Sequence, residues 1–535
     1  MHDLNLKMIK IILIILIAAV VLDMLSGINI LKNNYYWRTP YFAMQYDYLK
    51  EEFLFAKYEH GGISNWLKSF KNPEPIKLEQ SKTATAIPVL LYHGVIDNTN
   101  WHADDVNISL NDFREQMFAL KKNGYQTITL SDYVLFTKGE KILPEKSFIL
   151  TFDDGRKDSF YTVDPILRVL DYNAVMFVIT NRSLGPNSSQ EVFHLSEEEL
   201  QKMIASGHWR IESHGKNDHD SIQINANGDK GHFLSNQMWL TSLEKIETEE
   251  EHKARIALDL LESKKDIERK LNTSVLSFAY PFGDFGMTTE NFPESKGLIV
   301  DEARKVYPLS FCQASSSDFP TNYPESSFLA KRIAISSQIS AQDIVNLFEY
   351  NQEKLLNYQD YFLKNNGWMA GRGFIEINNG SLRLKDSELE GSSIAFLGGS
   401  YLWDNYSVKA NIRVEKTDSL ALTARYHDQN NNVSCVFSDH YISLVQNINS
   451  KEILDIRNST ETSLSSGREA EIGILVNGDE ASCFLDGKAI VNGTIDSSLS
   501  HGGVGFKVWD TLEKGSALII RNFKAEKISS IDGTT

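Results

Sequence analysis

Two adjacent carboxylates, Asp153 and Asp154, end the phrase Thr151-Phe152-Asp153-Asp154-Gly155, directly after the apolar run that opens at Phe148. A buried strand that stops at paired acids, with glycine allowing a tight turn, suits one metal ligand beside one free base, because successive side chains on an extended backbone point in opposite directions. Taken alone, Asp-Asp-Gly is also an ordinary acidic turn. His214 and His219 follow another strand-like run, five positions apart. That is not helical spacing, but a loop can bring both imidazoles onto one ion; the plainer alternative is a surface pair among Lys216, Asn217, Asp218 and Asp220. His93 closes a third apolar run, Ile87 to Tyr92, and Tyr280-Pro281-Phe282-Gly283-Asp284 makes a turn after a fourth. Each feature is weak singly, and their conjunction carries the argument. One aspartate and two histidines leave positions open for water and substrate, as hydrolytic metal sites require. Asp153 is then the candidate base and His93 the candidate proton donor to a leaving nitrogen.

These strand ends need a scaffold that gathers them. From Ile87 to about Asn351 short apolar runs alternate with amphipathic segments: Phe113, Met117 and Leu120 recur at helical spacing, Ser196 with Glu199 makes a capping box, and a charged helix is expected over about Glu249 to Lys270. Strand, helix, strand repeated this way predicts a parallel sheet or barrel whose function lies in loops after the strands' C-terminal ends. After Asn366 helical periodicity stops. Short alternating runs, separated by turn dipeptides such as Asn477-Gly478 and Asp486-Gly487, predict an antiparallel sandwich.

As a set, Thr151–Gly155, Ser213-His214 with His219, and Tyr280–Gly283 resemble the signature motifs of the polysaccharide deacetylases, carbohydrate esterase family 4. Leu91-Tyr92-His93-Gly94-Val95 narrows the resemblance to the branch acting on exported poly-β-1,6-N-acetylglucosamine of biofilms. The resemblance spans roughly residues 93–340 and implies a deformed (β/α) barrel. It also implies Asp153 as general base, Asp154, His214 and His219 as metal ligands, His93 as general acid, and a backbone amide near Phe282 at the oxyanion. The donor set suits zinc, with nickel, cobalt and iron as alternatives. Departures are Gly215, where many members carry Ser or Thr, and the lack of an arginine ahead of Tyr280; Phe328–Arg332 stands where a late Leu-x-His motif is usual. Arg332 is a candidate to orient Asp153. The stretch from Asp220 to Glu247, with His232 and Trp239, reads as an insertion able to cap a sugar cleft.

Length and composition fit this organisation. The 535 residues are too many for one ordinary domain, and 54 basic against 71 acidic residues give a formal net charge of −17. That balance argues against nucleic acid as a partner. Lys7 and Lys10 precede an apolar run from Ile11 to Leu22, so residues 1–31 are expected to be a cytoplasmic tip and signal anchor. A single-pass protein with its catalytic part outside the cell membrane follows, or a secreted one if the signal is cleaved. Residues 32–85 are expected to be a stalk, 86–351 the catalytic unit and 366–528 the sandwich. The sandwich resembles concanavalin or laminin-G-like jelly rolls and is expected to bind glycan or act as a spacer, with Trp403, Tyr426, Tyr441 and Trp509 as candidate sugar platforms. Three cysteines leave room for a single Cys435–Cys483 bridge. The expected activity is metal-dependent removal of N-acetyl groups from an N-acetylglucosamine polymer. The alternatives are an inactive glycan-binding surface protein and an enzyme of β-1,4-linked peptidoglycan or chitin-type chains.

Overall fold

The computed structural model describes residues 40–61, 82–98, 101–190, 192–324, 328–386, 391–459, 466–510 and 515–528. The expected membrane anchor lies outside them. Among the described residues no helix is long and apolar enough to cross a membrane.

Two compact units divide the chain: residues 1–313 with 322–345, and residues 314–321 with 346–535. In the first, seven parallel strands follow one another around a closed barrel: β1 (Ile87–Tyr92), β2 (Ser147–Phe152), β3 (Ala174–Val178), β4 (Trp209–Ser213), β5 (Ser277–Ala279), β6 (Leu309–Gln313) and β7 (Leu329–Ala334). β1 pairs with both β2 and β7, which closes the circle. Strands β1, β2 and β3 are buried at every position, because helices cover the outside and side chains fill the inside. Val89, Ile149, Val175, Phe177 and Phe311 belong to one buried cluster.

The connecting helices start where local chemistry dictates. α1 (Pro40–His60) precedes the barrel; α2 (Leu110–Lys122) begins at Ser109, whose hydroxyl accepts from the Asp112 amide. α3 (Lys157–Leu170) follows β2. α4 (Glu197–Ser206) and α5 (Glu249–Leu271) both open with capping boxes, Ser196 with Glu199 and Thr248 with Glu251. α1 falls in the stretch expected to be a stalk, yet it belongs to the barrel unit. Phe55 and Tyr58 pack on Phe118 of α2, with ring centroids 5.0 and 5.6 Å away, and Arg114 of α2 grips Glu51 at 2.5 and 2.6 Å. A helix with its aromatics and a buried ion pair committed in this way is not a free spacer.

The second unit is antiparallel throughout. One of its sheets runs in the order β8 (Trp368–Arg372), β9 (Ser392–Leu397), β14 (Gly503–Trp509), β10 (Ser419–Asp428), β11 (Asn431–Ser438), β12 (Tyr441–Ile448) and β13 (Lys451–Ser459). The facing sheet centres on the long strands Tyr406–Lys416 and Ala517–Lys527. Leu420, Leu422, Cys435, Phe437, Ile472, Ile474, Phe506 and Ile520 are among the residues of the shared core. The Cys435–Cys483 disulfide, with Cα atoms 5.5 Å apart, ties β11 to the facing strand Glu480–Leu485. Cys312 is buried in β6.

Candidate metal and catalytic centre

The candidate residues meet at the C-terminal end of the barrel. Asp154 leaves β2 with φ +72° and Gly155 continues with φ +67°, so the chain turns at once and both acids stay at the rim. His214 follows β4, and its Nδ1 lies 2.7 Å from the Ala279 carbonyl of β5. A carbonyl only accepts, so Nδ1 carries the proton and Nε2 presents a lone pair. Burial holds the His214 pKa down to about 4, against the pull of Asp153 and Asp154, so the ring stays neutral. Its Nε2 is 3.2 Å from His219 Nε2 and 3.6 Å from Asp154 Oδ1, and His219 Nε2 is 3.2 Å from the same oxygen.

Three donor atoms of this spacing fit one ion. Ligands about 2.0–2.1 Å from a tetrahedral centre stand roughly 3.3–3.4 Å apart, close to the separations found. Asp154 Oδ1 is buried with no conventional hydrogen-bond partner, which leaves a lone pair facing another lone pair unless a cation lies between them. Burial alone would raise Asp154, but the neighbouring imidazoles of His219, His214 and His93 outweigh it and hold the carboxyl below its usual range.

The loop between the two histidines is fixed from α5. Asp259 accepts from the amides of Lys216 at 2.8 Å and Asn217 at 3.0 Å, and from Asn217 Nδ2 at 3.0 Å. Gly215 has φ +77°, and a Cβ there would stand 2.3 Å from the Asp218 carboxylate. The departure from Ser or Thr at this position therefore has a local cause: the buried Asp218 side chain occupies the space.

Asp153 is 2% exposed and is not among the three clustered donors. Arg332 reaches it through the barrel, donating from Nη1 to Oδ1 at 2.6 Å and from Nη2 to Oδ2 at 2.7 Å. The guanidinium passes over the rings of Phe177 and Phe311, 5.2 and 6.0 Å from their centroids. Burial would raise Asp153, but Arg332, His214 and His93 outweigh it, and the carboxyl is held below its usual range. A guanidinium from β7 thus serves the acid in a chain with no arginine ahead of Tyr280. His93 ends β1 half-buried, with its carbonyl accepting from Ser159 Oγ.

Phe282 sits at φ +59° in the turn after β5, and its ring is half exposed. The turn's hydrogen bonds use the amides of Gly283 and Asp284, leaving that of Phe282 outside them. Its ring stands 4.6 Å from His219 and stacks on His232 at 4.5 Å with an interplanar angle of 17°. His232 comes from the insertion and is anchored through Nδ1 to Asp284 Oδ2 at 2.7 Å. Trp239, by contrast, pairs with Ile246 in a short hairpin, and no ring contact or hydrogen bond joins it to the triad. Of the two residues named with the insertion, His232 rather than Trp239 is the one that reaches the turn at Phe282.

The insertion is held by α5. His252 Nε2 donates to the Leu234 carbonyl at 2.8 Å, and Arg255 reaches Glu247 and the carbonyls of Phe233 and Asn236. Burial, with Arg255 beside it, holds His252 down to about 4. A folded pKa below the unfolded value of about 6.5 means stability that is complete above pH 6.5 and drains away as pH falls toward 4. His252 alone should cost roughly 2 kcal/mol between pH 7.5 and 5. Thermal melts of metal-free protein should show a shallower decline over this window in His252→Gln; an unchanged slope would remove His252 from this role.

Part of this chain is similar to known proteins. Residues 140–299 match the family model described as polysaccharide deacetylase. The poly-beta-1,6-N-acetyl-D-glucosamine N-deacetylase of Escherichia coli (strain K12) is 27% identical over 326 residues, 56% of this chain and 46% of the relative. The protein of the same name from Staphylococcus aureus (strain MRSA252) is 25% identical over 177 residues, 33% of this chain and 54% of the relative. The chain thus spans about half the length of these relatives. Among solved structures, a de-N-acetylase from Aggregatibacter actinomycetemcomitans is 22% identical, with 49% of this chain and 99% of that chain covered and a TM-score of 0.42. The motif set, the barrel and the three-donor cluster thus lie in the unit whose residues 140–299 match the polysaccharide deacetylase model.

Proposed function

We propose that the barrel unit hydrolyses the acetamido groups of an extracellular N-acetylglucosamine polymer, releasing acetate and leaving free amines. The observation that carries this reading is the three-donor cluster of Asp154, His214 and His219 beside a separate, arginine-held carboxylate. The names of the Escherichia coli and Staphylococcus aureus relatives support the β-1,6-linked polymer as substrate.

In this reading Asp154, His214 and His219 hold a divalent ion, zinc before nickel, cobalt or iron. Such an ion acidifies a water and polarises the carbonyl. Asp153, fixed in direction by Arg332, takes the proton of the attacking water. His93 returns a proton to the departing nitrogen, so the amine leaves neutral. The Phe282 amide donates to the oxyanion as the carbonyl carbon becomes tetrahedral. The apolar run at residues 11–22 is proposed to tether the chain outside the cell membrane.

The test is acetate release from β-1,6- and β-1,4-linked N-acetylglucosamine oligomers by protein stripped of metal and then titrated with zinc, nickel or cobalt. Acetate should appear only on metal addition and be greater from the β-1,6 oligomers. Folded protein that releases none with any of these metals would overturn the reading in favour of a glycan-binding role, and preference for the β-1,4 oligomers would reassign the polymer.

A further inference from the structure

The sandwich unit carries a groove of about 260 Å³ on the sheet β8 to β14, on the face turned away from the apolar core. Alternation along each strand separates the two faces. Leu422, Cys435, Leu444 and Phe506 point to the core, while their neighbours Thr423, Ser434, Ser443 and Lys507 line the groove.

Register makes the groove legible. One row across the sheet reads Lys507, Ala421, Val436, Ser443, Arg457, and the next reads Gly505, Thr423, Ser434, Val445, Asp455. Small side chains form the floor and charged ones stand at both ends. A third row puts Trp509 opposite Ser419, Ser419 opposite Ser438, and Tyr441 beside Ser438. Trp509 and Tyr441 are both half-buried, and three interstrand gaps set them about 14 Å apart. Lys507 Nζ stands 5.2 Å from the Trp509 centroid, and Arg457 lies 4.8 Å from that of Tyr441.

The polar groups suit hydroxyls. Asp455 gives Oδ2 to Arg457, while its Oδ1 is buried without a partner, an acceptor with a lone pair to offer. Ser434, Ser443 and Asn432 are buried on the same face. Glu452 and Asp455 balance Lys507 and Arg457, so the groove is locally neutral on a chain of net charge −17. An ionic ligand finds no excess of countercharge there. A ligand with apolar ring faces and many hydroxyls meets aromatic platforms at two ends and acceptors between them.

We infer that this groove is a second glycan site, one that holds a neutral stretch of polysaccharide independently of the catalytic centre. Its occupant is uncharged pyranose chain, stacked on Trp509 and Tyr441 and hydrogen-bonded through Asp455 and the serines of the floor. Naming the acetylated N-acetylglucosamine polymer as that chain rests on the deacetylase reading; the groove itself does not.

The experiment measures retention of the full chain, carrying Asp153→Asn to prevent turnover, on immobilised β-1,6-N-acetylglucosamine oligomers, their deacetylated form, and β-1,4-glucose oligomers. Trp509→Ala and Tyr441→Ala should each weaken retention on the acetylated oligomers about tenfold, about 1.4 kcal/mol. Trp509→Phe should restore most of it, and retention should vary little with salt. In the chain with Asp153 intact, metal-dependent release of acetate from a single acetylated disaccharide should be unaffected by Trp509→Ala. Unchanged retention in both alanine variants would overturn the site, as would retention confined to the deacetylated, charged oligomers. Retention through Trp509 and Tyr441 on glucose oligomers alone would keep the groove and remove its link to the proposed substrate.

Discussion

Arg332→Met should cut acetate release by roughly 10²–10³, within the range for losing a positioned base, and should also destabilise the barrel. Arg332 is fully buried and both of its Nη atoms bond Asp153. Methionine fills much of the space but leaves a carboxylate in a dry interior with only His214 and His93 to oppose burial. Breaking a buried pair from one side costs about 3–5 kcal/mol. Arg332→Lys keeps a charge but lacks the planar fork that fixes both oxygens, so it should recover part of the stability and little of the direction. The double variant Arg332→Met with Asp153→Asn separates these effects. With no buried charge left, it should be more stable than Arg332→Met alone by more than about 1 kcal/mol, while remaining inactive. Losses that simply added in thermal melts would mean the two side chains do not act as a pair. The sign with pH follows from direction: Asp153 is lowered in the folded protein, so the pair contributes stability above the unfolded carboxyl range and loses it as pH falls through the folded value. The gap between wild type and Arg332→Met should therefore narrow in acid.

That pair can be named from the sequence, where Arg332 is a candidate to orient Asp153, but no local signal argues for it. The motifs at Asp153, His214 and Pro281 are contiguous, each follows an apolar strand, and a barrel has to bring such strand ends together. The Arg332 partnership spans 179 positions, and on β7 nothing local says whether Lys331 or Arg332 faces the interior. His232 is harder still, since its place depends on Asp284, 52 residues away. The start of α3 was hidden for another reason. Its first turn, Lys157 to Ser159, is polar, with Asp158 on Arg156 and Ser159 on the His93 carbonyl, and the buried apolar face begins only at Phe160. In the sandwich, period-two alternation does not tell which face carries a ligand when both faces of a strand are buried, as in most of β10. Of the four aromatic candidates, Trp403 is in the core, donating to the Lys354 carbonyl, and Tyr426 is buried with its hydroxyl on the Ser317 carbonyl. Tyr441 and Trp509 stay half-buried in the groove, which the buried Tyr426 also lines.

Asp259→Ala should raise the metal concentration for half-maximal activity about 10- to 100-fold, the usual cost of removing a supporting partner of metal ligands, with turnover at saturating metal much less affected. Asp259 touches none of the three donors, but it holds the amides of Lys216 and Asn217 between two of them. Alanine leaves those donors unpaired at a cost of about 1–3 kcal/mol, and a loosened loop lets His219 drift from its place 3.2 Å from both His214 Nε2 and Asp154 Oδ1. Asp218 adds to the dependence. Burial first and Asp259 second push its carboxyl well above the usual range, so it is held as the neutral acid under the same loop. Removing Asp259 withdraws a partner from that proton as well as from the amides. Asp259→Asn keeps one acceptor oxygen and should fall between alanine and wild type. Titration against a competing chelator reads the affinity directly, apart from catalysis. An Asp259→Ala protein that binds metal as tightly as wild type but turns over slowly would mean that the loop positions substrate rather than the ion. If both affinity and rate were unchanged, the geometry of residues 214–219 would have to be held by β4 alone.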